Sequence, residues 1–206
     1  MKESKKEKLK KFHRNNILTA AKKLFIEKGI TLTTMDDIAK VADYSKSTLY
    51  VYFRSKDEIY NNIIYENMLL LKHALEDAVQ NSNNVKDCFF TICNTHVSFQ
   101  EDNPLFFESM LNGTMNKSDD EPLYEKMLEL NNAINKIITD FLLDGIQKKQ
   151  IRPNIDIVQT AFTLWISICG LILASYNKKS YIRYMNVDRK SFLEYGFGTL
   201  LNSIIL

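Results

Sequence analysis

Apolar positions recur at helical spacing along the chain. Ile17, Ala20, Ala21, Leu24 and Phe25 form a first stripe, closed by Gly29 as a C-cap. Thr34 then caps a short helix: its oxygen is free to accept from an unpaired N–H in the next turn, and Asp36 and Asp37 suit the positive end of the helix dipole. Ile38, Val41 and Ala42 share one face of it. Asp43-Tyr44 interrupts the pattern, and Ser45 caps a second helix in which Leu49 and Phe53, four residues apart, point back at the first. Ser47, Tyr50 and Val51 are left facing outward. The spacing predicts a helix, a tight turn and a second short helix over residues 34–56.

Longer elements follow. Ser55-Lys-Asp-Glu58 has the form of a capping box, and Tyr60, Ile63, Ile64, Leu71, Leu75 and Ala78 hold one stripe of the helix it opens. A polar loop at 81–84 precedes a helix over about 85–101, whose Phe89, Phe90, Ile92, Val97 and Phe99 surround the polar Asn94 and His96. Pro104, after Asn103, opens a short helix with Phe106, Phe107, Met110 and Leu111 that ends at Gly113. Residues 114–121 read as a polar loop, and Pro122 starts a long helix through Leu123, Met127, Leu130, Ile134, Ile137, Ile138 and Phe141. Residues 157–177 carry no charge at all, and a last helix puts Leu193, Phe197, Leu200, Leu201 and Ile204 on one stripe.

Composition supports an all-α reading: 206 residues, 45% hydrophobic, with 6 Gly and 3 Pro, allow one or two helical domains with a real core. Charge divides the chain. Residues 1–56 hold 14 Lys/Arg against 6 Asp/Glu, so the remainder is net negative although the whole is +2. The basic end is the one suited to nucleic acid. A short polar face at a helix N-terminus, with Lys46 beside it, is where phosphate is attracted and where a recognition helix meets base edges.

The segment Thr34, Ile38-Ala39, Ser45 to Phe53 and Ser55-Lys56 resembles the signature of TetR/AcrR-type transcriptional regulators, and Ile17 to Gly29 resembles their opening helix. Two positions depart from the pattern: Asp43 stands at the turn where Gly is usual, and Ser47 stands where Gly is common. The resemblance implies a three-helix helix-turn-helix domain over 1–56, with 1–11 a basic arm disordered off DNA, and a helical ligand-binding and dimerisation domain over 57–206. It implies phosphate contacts from Thr34, Thr48, Tyr50, Tyr52 and Lys56, and base-edge contacts from Lys46 and Ser47. It also implies a homodimer whose last two long helices form a four-helix interface, expected from Phe162, Trp165, Ile166, Leu173, Phe197 and Leu201. One recognition helix reads few base pairs, so a palindromic operator is expected.

The aromatic and Met-rich middle suits a small, largely apolar ligand of unknown identity, with Phe89, Asn94, His96, Phe99, Phe106, Phe107, Met110, Tyr124 and Phe141 as candidate pocket residues. The function expected is a ligand-responsive regulator, a repressor by family habit. Two alternatives stand: a dimeric DNA-binding module with no small-molecule ligand, and a membrane-anchored regulator. Residues 157–177 are long enough to span a bilayer. Against that, Gln159, Thr160, Thr163, Ser167 and Ser175 recur through the stretch and Lys pairs flank both sides. A helix apolar nearly all round is otherwise buried between its own domain and a partner subunit.

Enzyme chemistry finds no support. His13, His73 and His96 form no metal-binding pattern, and there is no Gly-rich phosphate loop or nucleophile elbow, so no cofactor or metal is implied. Cys88, Cys93 and Cys169 lie in apolar helical stretches and read as reduced packing thiols. With no secretory signal in the sequence, a cytoplasmic protein is expected.

Overall fold

The computed structural model describes residues 4–82, 84–112 and 121–206, and the polar loop expected at 114–121 lies almost wholly outside them. The described residues form helices α1 (Lys5–Lys28), α2 (Met35–Val41), α3 (Lys46–Tyr52), α4 (Lys56–Gln80), α5 (Val85–Asp102), α6 (Pro104–Asn112), α7 (Glu121–Gln147), α8 (Ile157–Asn177), α9 (Lys179–Tyr184) and α10 (Arg189–Asn202). Extended pairing among them is a single antiparallel bridge between Ile151 and Ile205, which ties the end of the chain to the α7–α8 connection.

Caps explain where most of these helices begin. Ser4 accepts from the Glu7 N–H while the Glu7 carboxylate accepts from the Ser4 N–H, a reciprocal box that starts α1 well before its first buried residue, Ile17. From Lys5 onward the basic arm expected to be disordered is therefore helix. Thr34 and Asp37 form the same box on α2. Ser55 accepts from the Glu58 N–H as its spacing implied, but Glu58 reaches back to Arg54 N at 2.6 Å rather than to Ser55. Asn84, Asp156 and Asp188 cap α5, α8 and α10. Gly29, at φ 82°, ends α1. Helix α9 has no counterpart in the apolar pattern, because Ile182 is its one buried residue.

The chain divides into two compact units, and the division falls later than residue 56. Among described residues, 4–67 and 121–127 make one unit, and 68–112 with 128–206 make the other. The shift has a plain cause: Ile59, Tyr60, Ile63 and Ile64 near the start of α4 are buried, and the Tyr60 ring meets Phe25 of α1 edge-on at 6.0 Å. In the first unit Ile17, Ala21, Ile38, Leu49, Phe53 and Ile59 make the core. In the second, α8 packs on α10 and α5, with Leu164, Ile168, Cys169 and Ile172 facing inward. Gly196 lets α10 come against Leu171 of α8, since a Cβ there would stand 2.8 Å from a Leu171 methyl. All three cysteines are free and buried, and burial pushes the Cys169 thiol up to about 12.

Candidate functional site

The α2–α3 turn is built on Asp43 at φ 59°, the left-handed conformation that Gly takes more easily and that Asp tolerates at a cost of about 1 kcal/mol. The turn is sound: Tyr44 N–H donates to Ala39 O at 2.9 Å. At the start of α3 the Ser45 hydroxyl accepts from Thr48 N at 3.1 Å and lies within hydrogen-bond distance of the Ser47 and Thr48 hydroxyls. Leu49 and Phe53 are buried, while Lys46, Ser47, Tyr50 and Val51 stand outward, as their spacing predicts. Thr48 and Tyr52 are half-buried at the edges of this surface. Thr34 is exposed, with its hydroxyl donating to Asp37 Oδ2 at 2.7 Å.

Four sets of contacts around this surface are invisible in the apolar pattern. Lys46 Nζ lies 2.7 Å from Asp36 Oδ1, and this hydrogen bond raises the Lys46 pKa. Asp37 collects Lys28 at 2.7 Å together with both Thr34 donors, and these hydrogen bonds, Lys28 foremost, hold its carboxyl well below the usual range. Arg14 donates to Tyr52 O at 2.8 Å and Asn62 Oδ1 at 2.9 Å with its guanidinium 4.1 Å from the Phe53 ring centre, which fixes the end of α3. His13 and Tyr44 join α1 to the turn through a 2.7 Å bond.

Lys56, expected at phosphate, has contacts within the chain: its ammonium donates to Ile30 O at 2.7 Å, Thr33 O at 2.9 Å and Thr31 O at 3.4 Å, so it clamps the α1–α2 loop. A buried Thr33 whose hydroxyl donates to Gly29 O completes the loop.

The candidate pocket residues do not converge on one cavity. Phe89, Phe99, Phe106 and Phe107 are buried in the core, where Phe99 and Phe106 meet edge-on at 5.4 Å. Asn94 is exposed in a surface groove between α5 and α10, and Phe141 lines a separate hollow near Cys88 and Asp144. Met110 is half-exposed on α6; Tyr124 belongs to the stretch of α7 grouped with the first unit. His96 does line a cavity, of about 220 Å³, between α4, α5, α7 and α8. Its walls include Leu75, Ile138, Phe162 and Trp165, its polar groups are His96, Asn135 and Thr139, and no charged residue lines it. Nδ1 of His96 is 2.9 Å from Ile92 O, so in the neutral ring that nitrogen donates and Nε2 remains an acceptor; burial lowers the His96 pKa. Sequence reasoning missed the wall from α4 and α8, whose residues read as core and as interface.

Of the expected interface residues, Phe162 and Ile166 are exposed on α8, with Trp165 and Leu173 half-buried beside them. Phe197 and Leu201 face inward: both are buried where α10 packs on its own domain, so the outer face of α10 is instead that of Tyr195 and Thr199. Helix α8 has the length and composition of a membrane span, yet its inner face is committed to α5 and α10.

A recognition helix capped by Ser45, backed by Leu49 and Phe53 and offering Lys46, Ser47 and Tyr50 outward, defines a helix-turn-helix DNA-binding regulator rather than an enzyme. Residues 17–63 match the bacterial regulatory proteins of the tetR family. An uncharacterised HTH-type transcriptional regulator of Bacillus subtilis strain 168, YhgD, is 30% identical over 152 residues, 72% of this chain and 76% of its own. The fatty acid metabolism regulator protein of the same organism is 26% identical over 149 residues, 68% of this chain and 72% of its own. The fold also matches the crystal structure of the Bacillus subtilis regulator FadR in complex with stearoyl-CoA, with a TM-score of 0.68 at 18% identity over 91% of this chain and 95% of that one. The chain belongs to the TetR family of transcriptional regulators.

Proposed function

We propose that the protein is a cytoplasmic homodimeric repressor that leaves a palindromic operator when a small, largely apolar molecule occupies the cavity beside His96. The observation that carries this reading is the cavity itself: apolar walls from four helices around His96, Asn135 and Thr139 have the make-up of a small-molecule site. Lys46 and Ser47 meet base edges; Thr34, Thr48, Tyr50 and Tyr52 meet phosphates. Release is a population shift, in which the ligand favours a conformer whose recognition helices no longer match major grooves about 34 Å apart.

Dimerisation uses α8 and α10. Val158, Phe162 and Ile166 make an exposed apolar stripe on α8. Gly170 on α8 and Gly198 on α10 have nothing within 4 Å of where a Cβ would stand. Glycine inside a helix costs about 1 kcal/mol relative to Ala, a cost without return in one subunit but useful where a second helix approaches closely.

The ligand class to try first is the long-chain acyl-CoA thioester, on the strength of the fatty-acid regulator relative and the stearoyl-CoA complex. A cavity of about 220 Å³ takes only part of such a chain, so Phe162 or Trp165 must turn to admit the rest. Trp165 is the sole tryptophan and lines the cavity, so its fluorescence reports occupancy directly. The test titrates acyl-CoA thioesters and neutral apolar compounds against the protein bound to DNA from around its own gene. A fluorescence change that tracks operator release supports the reading. Specific DNA binding that no such compound alters, with Trp165 unmoved, favours the ligand-free dimeric module instead.

A further inference from the structure

A second pocket, sharing no residue with the cavity beside His96, lies between the end of α8, α9 and the start of α10. We propose that it binds a phosphate-bearing small molecule. About 590 Å³ of space is lined by Lys179, Arg183, Arg189, Ser175, Asn186 and Asp188, with Ile182 behind them. Three cations therefore border one hollow. The concentration is local: residues 176–190 hold five Lys/Arg and one Asp, inside a region, 57–206, that is net negative.

The charges are not neutralised from within. Lys179 and Arg183 stand four residues apart on α9, both exposed, and among the described residues no carboxylate lies within ion-pair distance of either. Like charges at that spacing repel along one face and destabilise a helix. Helix α9 has little to set against that: it is six residues long, has no side-chain cap and buries one residue. Lys179 Nζ is held 4.2 Å from the centre of the Tyr176 ring, which positions it without cancelling its charge.

Asp188 brings one negative charge to the same hollow but pairs with neither cation: its oxygens accept from the Ser191 backbone N–H at 3.0 Å and from the Ser191 hydroxyl at 2.6 Å, in its work as the cap of α10, so three cations face one carboxylate. Arg189 is anchored at the back of the pocket: Nε donates to Ser175 Oγ at 3.1 Å, and the outer nitrogens reach Glu101 and Gln100. Glu101 offsets that guanidinium, which leaves Lys179 and Arg183 as the two cations of the hollow without an ion-pair partner among the described residues. Asn186, at φ 56°, makes the left-handed turn that folds the start of α10 back beside α9 and closes the third side. An ammonium and a guanidinium one helical turn apart, over a hollow wider than a phosphate, suit a phosphate or diphosphate group carrying an organic substituent.

The experiment is calorimetric titration of the full chain with inorganic pyrophosphate and with ADP at constant ionic strength, using wild type, Lys179→Ala, Arg183→Ala and, as control, Lys190→Ala, which lies outside the pocket. Saturable binding to wild type is expected, weakened about tenfold by each pocket substitution, the loss of one charged hydrogen bond, and unchanged in Lys190→Ala. All three substituted residues are exposed, and circular dichroism of each variant checks that it is folded. The proposal is overturned if neither phosphate binds, if sulfate binds equally well, or if Lys190→Ala loses as much as the others. Wild type that ignores soluble phosphates but sediments with phosphatidylglycerol vesicles overturns it in favour of a membrane-surface contact.

Discussion

Under the proposed function Lys46 approaches DNA from an ion pair with Asp36 rather than from water. On random sequence the carboxylate repels phosphate and holds the ammonium back, whereas a guanine edge offers acceptors that compete for it. Asp36→Asn is therefore expected to raise affinity for random DNA more than for operator and to steepen the salt dependence by about one unit. Lys46→Ala should cost about 1–3 kcal/mol at one base pair per half-site, read by competition between operator variants; equal losses on random DNA would make Lys46 a phosphate contact instead. Lys56→Ala removes the clamp on three carbonyls, so denaturant unfolding should show a loss of about 1–3 kcal/mol with the salt slope on DNA unaltered. His96 gives stability a pH dependence. Its folded pKa is depressed, so the unfolded chain takes up a proton first; the stability it allows is full above about pH 6.5 and is lost as pH falls towards the depressed value. Urea midpoints on either side of that pH should differ in wild type and less in His96→Gln. Thr34, Ser45, Leu49 and Phe53 were legible in the sequence because caps and i, i+4 faces are local. The Lys56 clamp was not, because Ile30, Thr31 and Thr33 lie more than five helical turns of sequence away and offer only backbone, which no side-chain pattern records.

At the scale of elements, apolar periodicity found every long helix because each buries a stripe. It missed α9, which buries only Ile182, and it read residues 5–11 as an arm because they bury nothing. What starts α1 is instead the reciprocal pair of Ser4 and Glu7, a polar signal four residues long. Asp43 was legible as a departure, and the left-handed φ bears out the conformation that a turn there requires. Asp43→Gly should relieve it and raise stability by up to about 1 kcal/mol, measured by thermal unfolding, with α2 and α3 otherwise unchanged. The cavity was half legible. His96 announced itself as a polar residue in an apolar run, but Leu75, Ile138 and Trp165 are indistinguishable from core until the helices are assembled around it.

For the whole molecule the question is what covers α8. On α10 the expected interface residues Phe197 and Leu201 fall on the stripe that packs inward within the subunit, and hydrophobicity alone does not say which of two neighbours a residue serves. Gly170→Glu places a charge in open space on α8, so the subunit fold should tolerate it while the dimer does not. Sedimentation equilibrium should then find monomer, and operator affinity should fall with loss of the second half-site. Under the proposed function Val158, Phe162 and Trp165 bear on ligand binding and dimerisation at once, for they wall the cavity and also stand along α8, where Val158 and Phe162 are among its most exposed side chains. A subunit seated on that helix alters the cavity's outer wall, and a guest in the cavity alters the surface a subunit meets. On that proposal the dose that empties the operator is not a constant of the protein; it drifts with copy number, so a cell holding few molecules answers a different concentration of the same signal from one holding many.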